Sequence, residues 1–336
     1  MSKRHKAVAL WVSAWLVAGT GGGAMAYQTY GVEIGGRVVT VKWKTPPVRY
    51  YVTARGVTGV SAGDLQAAVA RAFATWQGVP SAGATSQFVG LTQAPPFDDD
   101  GMSTLGFLDR PDLDRVLGAT DYVLDKVTGE IIESDIFFNS AFSWSVAPGG
   151  EAGKFDLESI ALHEIGHLFG LGHSALGETE LRPSGGRRVI AAEAVMFPIA
   201  FTAGNISGRS LRADDIAGIS EIYPAGSHQR ETGMIAGRVT KGGQGVVGAH
   251  VVAFNPSTGQ LVGGFSFGRD GRFAIGGLSP GPHIIRTEPL DDADLDSFFD
   301  DTAAVDVNFK VVILQRFAIA PRGGASETVQ VTVTSK

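Results

Sequence analysis

The chain has 336 residues, enough for two domains, and its 44% hydrophobic and 18% charged residues suit a packed core rather than disorder. A formal net charge of -6 with no basic block excludes a nucleic-acid binder, because phosphate affinity comes mainly from Lys and Arg. Cysteine is absent, which excludes disulfides, thiolate nucleophiles, thiolate metal sites and lipid attachment through Cys, so any metal must sit on His and carboxylates.

The first segment reads as an address. Lys3-Arg4-His5-Lys6 precedes a mostly apolar run over residues 7–18 and a Gly-rich stretch ending Ala24-Met25-Ala26. A basic start, a short apolar stretch and a small-x-small exit make a signal peptide over residues 1–26, with cleavage expected after Ala26. The run falls short of the roughly 20 apolar residues of a membrane span. The mature chain is therefore expected to be secreted, extracellular or periplasmic, with no stable membrane insertion.

Residues 27–47, broken by Gly35-Gly36 and Pro46-Pro47, read as an extended arm. A strand follows at 48–53. Ser61 then caps a helix with Leu65, Val69, Phe73 and Trp76 on one face. Short apolar runs at 88–91, 104–108, 116–123 and 131–138 predict strands, the last after a Thr128-Gly129 turn. A second helix starts near Asp156, and a third runs over 211–223 with Asp214 and Asp215 in its first turn. This succession predicts an α+β domain over residues 48–226. Pro224-Ala225-Gly226-Ser227 begins a break, and residues 227–232 read as a linker. Beyond it the helical period disappears. Alternating runs at 234–240, 250–254, 261–267, 272–275 and 283–287 predict a small all-β sandwich domain over 233–336, with its core at 233–290. Runs at 305–319 and 328–334 supply further strands whose pairing the sequence leaves open.

The chemistry is concentrated in His163-Glu164-Ile165-Gly166-His167-Leu168-Phe169-Gly170-Leu171-Gly172-His173, which holds three of the seven histidines. Residues four apart share a helix face, so His163 and His167 can present imidazole nitrogens to one metal ion. Gly170 is where the helix must stop and the chain turn, and the turn lets His173 supply a third ligand. Three neutral imidazoles suit Zn2+ and leave a position open for water. Glu164, one residue beyond His163, is placed as general base for a zinc-activated water that attacks a peptide carbonyl.

This motif resembles that of the metzincin zinc peptidases, and Ser174 after the third His resembles the matrixin branch. Ala194-Val195-Met196-Phe197-Pro198 resembles the family's Met-turn, which implies Met196 as a hydrophobic floor beneath the zinc. Leu211 to Ile219 with Tyr223 resembles the matrixin C-terminal helix. Ser134 to Asn139 with Trp144 is similar to the strand preceding the active-site helix, and Ala72-Phe73 with Trp76 is similar to the first helix. The resemblance implies a metzincin-like mixed β-sheet with packed helices and an active-site helix. It also implies that the run from Val116, Leu117, Gly118 and Ala119 to Val123 is the sheet edge where an extended polypeptide substrate adds as a strand.

Three departures from the family stand out. The cysteine latch that commonly holds matrixins latent is impossible without Cys. No histidine lies between His5 and His163 to hold an extra structural zinc. The stretch from His173 to Met196 is long, carries Glu178, Glu180, Arg182, Arg187 and Arg188, and lies near the cleft, where it either shapes specificity or, as expected here, is a solvated surface loop. Asp98-Asp99-Asp100-Gly101 could give carboxylates to Ca2+. The group Asp291, Asp292, Asp294, Asp296, Asp300 and Asp301 starts like a calcium loop, but Ser297 replaces the glycine and Ala303 the closing acid. Both clusters are expected to be solvated acidic turns.

In the C-terminal part, Gly237-Arg238-Val239, the run 245–251, the run 271–275 and Gly277-Leu278-Ser279-Pro280-Gly281 resemble the carboxypeptidase regulatory-like, transthyretin-type sandwich. No catalytic set is visible there, since His250 and His283 are single histidines in strands. The resemblance implies a unit that binds, anchors or stabilises, with a surface, carbohydrate or protein ligand. The sequence thus reads as a secreted zinc endopeptidase. Two other readings stay open: a surface or matrix-binding protein with an inactive zinc scaffold, or an amidase acting on cell-wall peptides.

Overall fold

A computed structural model describes residues 29, 31–34, 37–125, 127–183, 185–300 and 303–336, and the expected signal peptide lies outside them. A hairpin of β1 (Gly31–Ile34) and β2 (Arg37–Thr40) opens the described chain. The arm expected over 27–47 is therefore not simply extended, nor does it stand apart. Val41 is buried, and Trp43 donates its indole N–H to the Leu168 carbonyl at 2.8 Å.

Next come β3 (Val48–Thr53), α1 (Ala62–Gln77), β4 (Ser86–Thr92), β5 (Ser103–Leu108), β6 (Gly118–Leu124) and β7 (Ile131–Asn139). The five strands form one sheet in the order β4-β3-β5-β7-β6, parallel except for β6, which is antiparallel and lies at the edge. Short β8 (Trp144–Ser145) pairs with β9 (Phe155–Asp156), which leads into α2 (Leu157–Leu168). The fold class is α+β, as the sequence implies.

Both helices start where their caps dictate. Ser61 and Asp64 satisfy each other's backbone N–H groups in a capping box, and Leu65, Val69, Phe73 and Trp76 are buried between the sheet and α2. Trp76 donates its indole N–H to the Leu162 carbonyl of α2 at 2.8 Å, fixing the two helices against each other. Asp156 caps α2 by accepting from Ser159 N at 2.9 Å, and Arg209 reaches the same carboxylate at 2.5 and 2.9 Å.

After α2 the expected solvated loop is instead a hairpin, β10 (Gly177–Leu181) with β11 (Arg187–Ala192). It differs from the expectation because Val189 is buried and joins a cluster with Phe197 from the segment around Met196 and Phe265, Leu290, Phe298 and Phe299 from the C-terminal part. Helix α3 (Ala213–Ile222) follows, and a one-turn α4 (His228–Glu231) occupies the expected linker.

The C-terminal strands are β12 (Gly233–Lys241), β13 (Gln244–Gly245), β14 (His250–Phe254), β15 (Leu261–Phe265), β16 (Arg272–Leu278), β17 (Gly281–Glu288), β18 (Val312–Ile313), β19 (Ala318–Ala320) and β20 (Val329–Val333). One sheet runs β13-β12-β16 with β20 parallel to β12; the other runs β15-β14-β17-β18 with β19 also on β17. The tail thus completes both sheets, and their inner faces share a core that includes Ile235, Val251, Phe273, Ile285, Phe309 and Val331. His250 and His283 are buried within strands.

Helix α3 belongs to both cores: Ile219 and Ile222 pack with the first sheet, and Ala217 packs with the C-terminal one. In the second acidic cluster Asp291, Asp294 and Asp296 are exposed, as a solvated turn requires, but the segment that carries them is anchored. Its apolar residues Leu290, Ala293, Phe298 and Phe299 are buried against the hairpin, and Asp292 accepts the Thr179 N–H at 2.6 Å.

The capped start of α2 gives a first prediction. Asp156→Ala removes the cap and the carboxylate that Arg209 pairs with most closely, leaving it two backbone carbonyls and Glu158 at 3.9 Å, so urea unfolding should show a loss of about 1–3 kcal/mol.

Candidate metal centre

Helix α2 carries His163 and His167 on one face, four residues apart. At its end Gly170 takes φ 96°, and a Cβ there would stand 2.5 Å from the Val41 carbonyl oxygen, so both the turn and the close approach require glycine. Leu171 N donates back to Gly166 O at 3.0 Å, and the chain turns to bring His173 beside the helix. His167 Nε2 lies 3.1 Å from both His163 Nε2 and His173 Nε2, and ligand atoms of all three lie within 4.8 Å of one another.

The opposite ring nitrogens explain this convergence. His163 Nδ1 lies 2.8 Å from Val195 O, His167 Nδ1 2.8 Å from Leu171 O, and His173 Nδ1 2.7 Å from Ser297 O. A carbonyl only accepts, so each Nδ1 carries the proton and each Nε2 is left as a lone-pair donor. Burial lowers all three pKa values, that of His173 to about 3, which keeps the imidazoles in the neutral form a metal needs. The two separations of 3.1 Å from His167 Nε2 are close to the about 3.3 Å between ligands of a tetrahedral Zn2+ held at about 2.0–2.1 Å, and the third pair lies within 4.8 Å.

Met196 is buried and its sulfur lies against Gly166 of α2, where any side chain would overlap it. The Met196 turn is held by Asp215, whose carboxylate accepts from Val195 N at 2.9 Å, Met196 N at 3.2 Å and Arg212 N at 2.8 Å. Ser174 N donates to Met196 O at 2.9 Å, tying the turn to the residue after His173.

Glu164 is buried between α2 and the edge strand β6. Thr120 Oγ1 lies 2.7 Å from its Oε2 and 3.0 Å from its backbone carbonyl. Burial pushes its pKa up to about 7, and a nearby dication would favour the ionised form. A Cβ at Gly118 would come within 3.1 Å of Glu164 Oε1, so this edge glycine gives the carboxylate its room.

Of the predicted edge residues, Gly118 and Ala119 begin β6, paired with Phe138 and Phe137. Val116 and Leu117 precede the strand, and their carbonyls are already taken by Asn139, from Nδ2 at 3.0 Å and from N at 2.8 Å. Asp98–Asp100 form an exposed turn. Its neighbouring amides at Phe97, Gly101 and Thr104 donate to the buried carboxylates of Asp135 and Glu133, whose pKa values burial raises to about 7.

Sequence pattern alone gives Thr120, Asp215 and Ser297 no role at the site. Asp215 was visible only as a first-turn acid, and Ser297 only as a missing glycine. Thr120 lay inside a strand run with nothing to mark it.

A family model for the matrixin peptidases matches residues 42–224, more than half of the chain. The chain belongs to the matrixin family. The Metalloendoproteinase 2-MMP of Arabidopsis thaliana is 27% identical over 198 residues, covering 51% of this chain and 43% of that protein. The Metalloendoproteinase 1 of Glycine max is 42% identical over 73 residues, covering 20% and 17%. Metalloendoproteinase 1-MMP of Arabidopsis thaliana is 25% identical over 191 residues, covering 54% and 44%. The chain spans less than half the length of these relatives. No helix among the described residues is long and apolar enough to cross a membrane.

Asp215→Ala would leave the Val195 and Met196 amides without their acceptor. With about 1–3 kcal/mol for each buried unsatisfied group, thermal unfolding should show a large fall in midpoint.

Proposed function

We propose that this chain is a secreted zinc-dependent endopeptidase, with catalysis in residues 48–226 and the β unit of residues 233–336 beside it. The observation that supports this reading is the convergence of three imidazoles, each with Nδ1 committed to a carbonyl, next to a buried carboxylate on the same helix. His163, His167 and His173 are the zinc ligands and Met196 the floor under them. When bound, the ion supplies Lewis acidity toward water and toward a peptide carbonyl. Glu164 takes the proton from the attacking water and passes it to the leaving amine. Thr120 holds that carboxylate in place through its hydroxyl. Edge strand β6 offers its outward backbone groups to an extended polypeptide, which gives affinity with little demand on side-chain identity. Secretion rests on the basic, apolar and small-residue succession of residues 1–26.

The test is cleavage of a panel of denatured proteins by the purified chain and by Glu164→Gln, with zinc measured in both. The expected outcome is about one zinc per chain in each and a loss of turnover of about 10²–10⁴-fold in the variant. Zinc in both with no cleavage by the parent would overturn the endopeptidase reading, and no zinc in either would overturn the metal centre. Thr120→Val removes a hydrogen bond to a charged group, so kcat/KM should fall roughly 10–100-fold with zinc content unchanged.

A further inference from the structure

Two of the three histidines are oriented by carbonyls from the chain that immediately surrounds them. Val195 serves His163 and Leu171 serves His167, both within the region 42–224 matched by the family model. The third differs. His173 Nδ1 finds its acceptor in Ser297 O, 124 residues further along and beyond that region.

We propose that residues 290–299 are a positioning element of the metal centre, with Ser297 supplying the carbonyl that fixes the tautomer and ring plane of His173. This rests on the zinc reading above. A ligand imidazole must keep its proton on the far nitrogen. The Ser297 carbonyl is the acceptor that fixes that tautomer for His173, and an Nε2 that carries the proton cannot bind a metal.

The segment is built to hold that carbonyl still. Residues Leu295–Ser297 form one tight turn, closed by Ser297 N on Asp294 O at 3.0 Å and by Phe298 N and Phe299 N on Leu295 O at 3.0 and 2.9 Å. Phe298 is 1% exposed, and its ring lies 6.5 Å from the His173 ring and 5.5 Å from that of Phe265 on β15. Phe299 packs on Phe265 from another side at 5.4 Å. On the hairpin side, Asp292 accepts from Thr179 N at 2.6 Å and its carbonyl accepts from Thr179 Oγ1 at 2.7 Å. The segment therefore joins His173, the β10–β11 hairpin and the C-terminal sheet in one contact. The β unit is part of the metal site rather than an appendage to it.

The test compares the full-length parent with Phe298→Ala, Phe298→Leu and Phe317→Ala, the last at a 55% exposed position of the same unit. Zinc affinity is read by competition with a chromogenic chelator, and site geometry by the visible absorption of the cobalt(II)-substituted proteins. Phe298→Ala should weaken zinc about 10–100-fold and change the cobalt bands. Phe298→Leu should restore most of the affinity, and Phe317→Ala should match the parent. A folded Phe298→Ala protein with the parent's affinity and spectrum overturns the proposal. If Phe298→Ala does not fold, Asp292→Ala decides: a smaller loss of the same sign supports the proposal, and parental affinity overturns it. A parent that binds no zinc overturns the zinc reading itself. A parent that binds zinc and cleaves protein, with Phe298→Ala indistinguishable from it, overturns this inference alone.

Discussion

Three neutral imidazoles, two of them with Nε2 3.1 Å from that of His167, are tolerable only if each ring is told which nitrogen keeps the proton. Here three backbone carbonyls do that, and each comes from a different part of the chain: the segment before Met196, the turn after α2, and residue 297. Much of the surrounding architecture can be traced to placing those carbonyls. The turn at Gly170 delivers Leu171 O, Asp215 fixes the segment that carries Val195 O, and a buried phenylalanine cluster fixes the one that carries Ser297 O.

Helix α3 makes this arrangement a single body. Its first turn holds two buried acids that face opposite partners. Asp215 grips the Met196 turn, and Asp214 accepts from Gly263 N of β15 at 2.8 Å. Burial raises the pKa of Asp215 to about 6 and that of Asp214 to about 7, offset in part by backbone amides at Asp215 and by the Ser174 side chain and the Gly263 amide at Asp214. One face of the helix packs under the first sheet and Ala217 under the second. The two units therefore meet through a shared helix, a shared hairpin cluster and a shared histidine environment.

Much of the fold could be read from local pattern because the decisive signals are local. Ser61 and Asp156 announce their helices by capping chemistry, and the strands of the first sheet follow two-residue alternation or short apolar runs. The histidine spacing is likewise a property of one helix and the turn behind it. The failures share one cause, which is contact between segments far apart in sequence. The stretch 174–195 is polar enough to pass for a solvated loop, yet Val189 is drawn in by Phe265 and Phe298. The acidic run near residue 295 hides Leu290, Phe298 and Phe299, which carry its packing, behind the carboxylates that dominate its composition. Thr120 is an ordinary strand residue until the helix sets Glu164 against it.

By itself, then, the sequence determined which side chains could meet a metal, because residues four apart on a helix share a face whatever surrounds them. It also determined the α+β order of the first unit and the all-β character of the second, through hydrophobic periodicity. Only the tertiary structure decided which nitrogen of each imidazole faces inward, how Glu164 is held, and that the third histidine is oriented from the C-terminal unit. Those outcomes depend on hydrogen bonds to backbone carbonyls and to one hydroxyl. Every residue but proline offers the same backbone groups, so no pattern of side chains announces which carbonyl will be used.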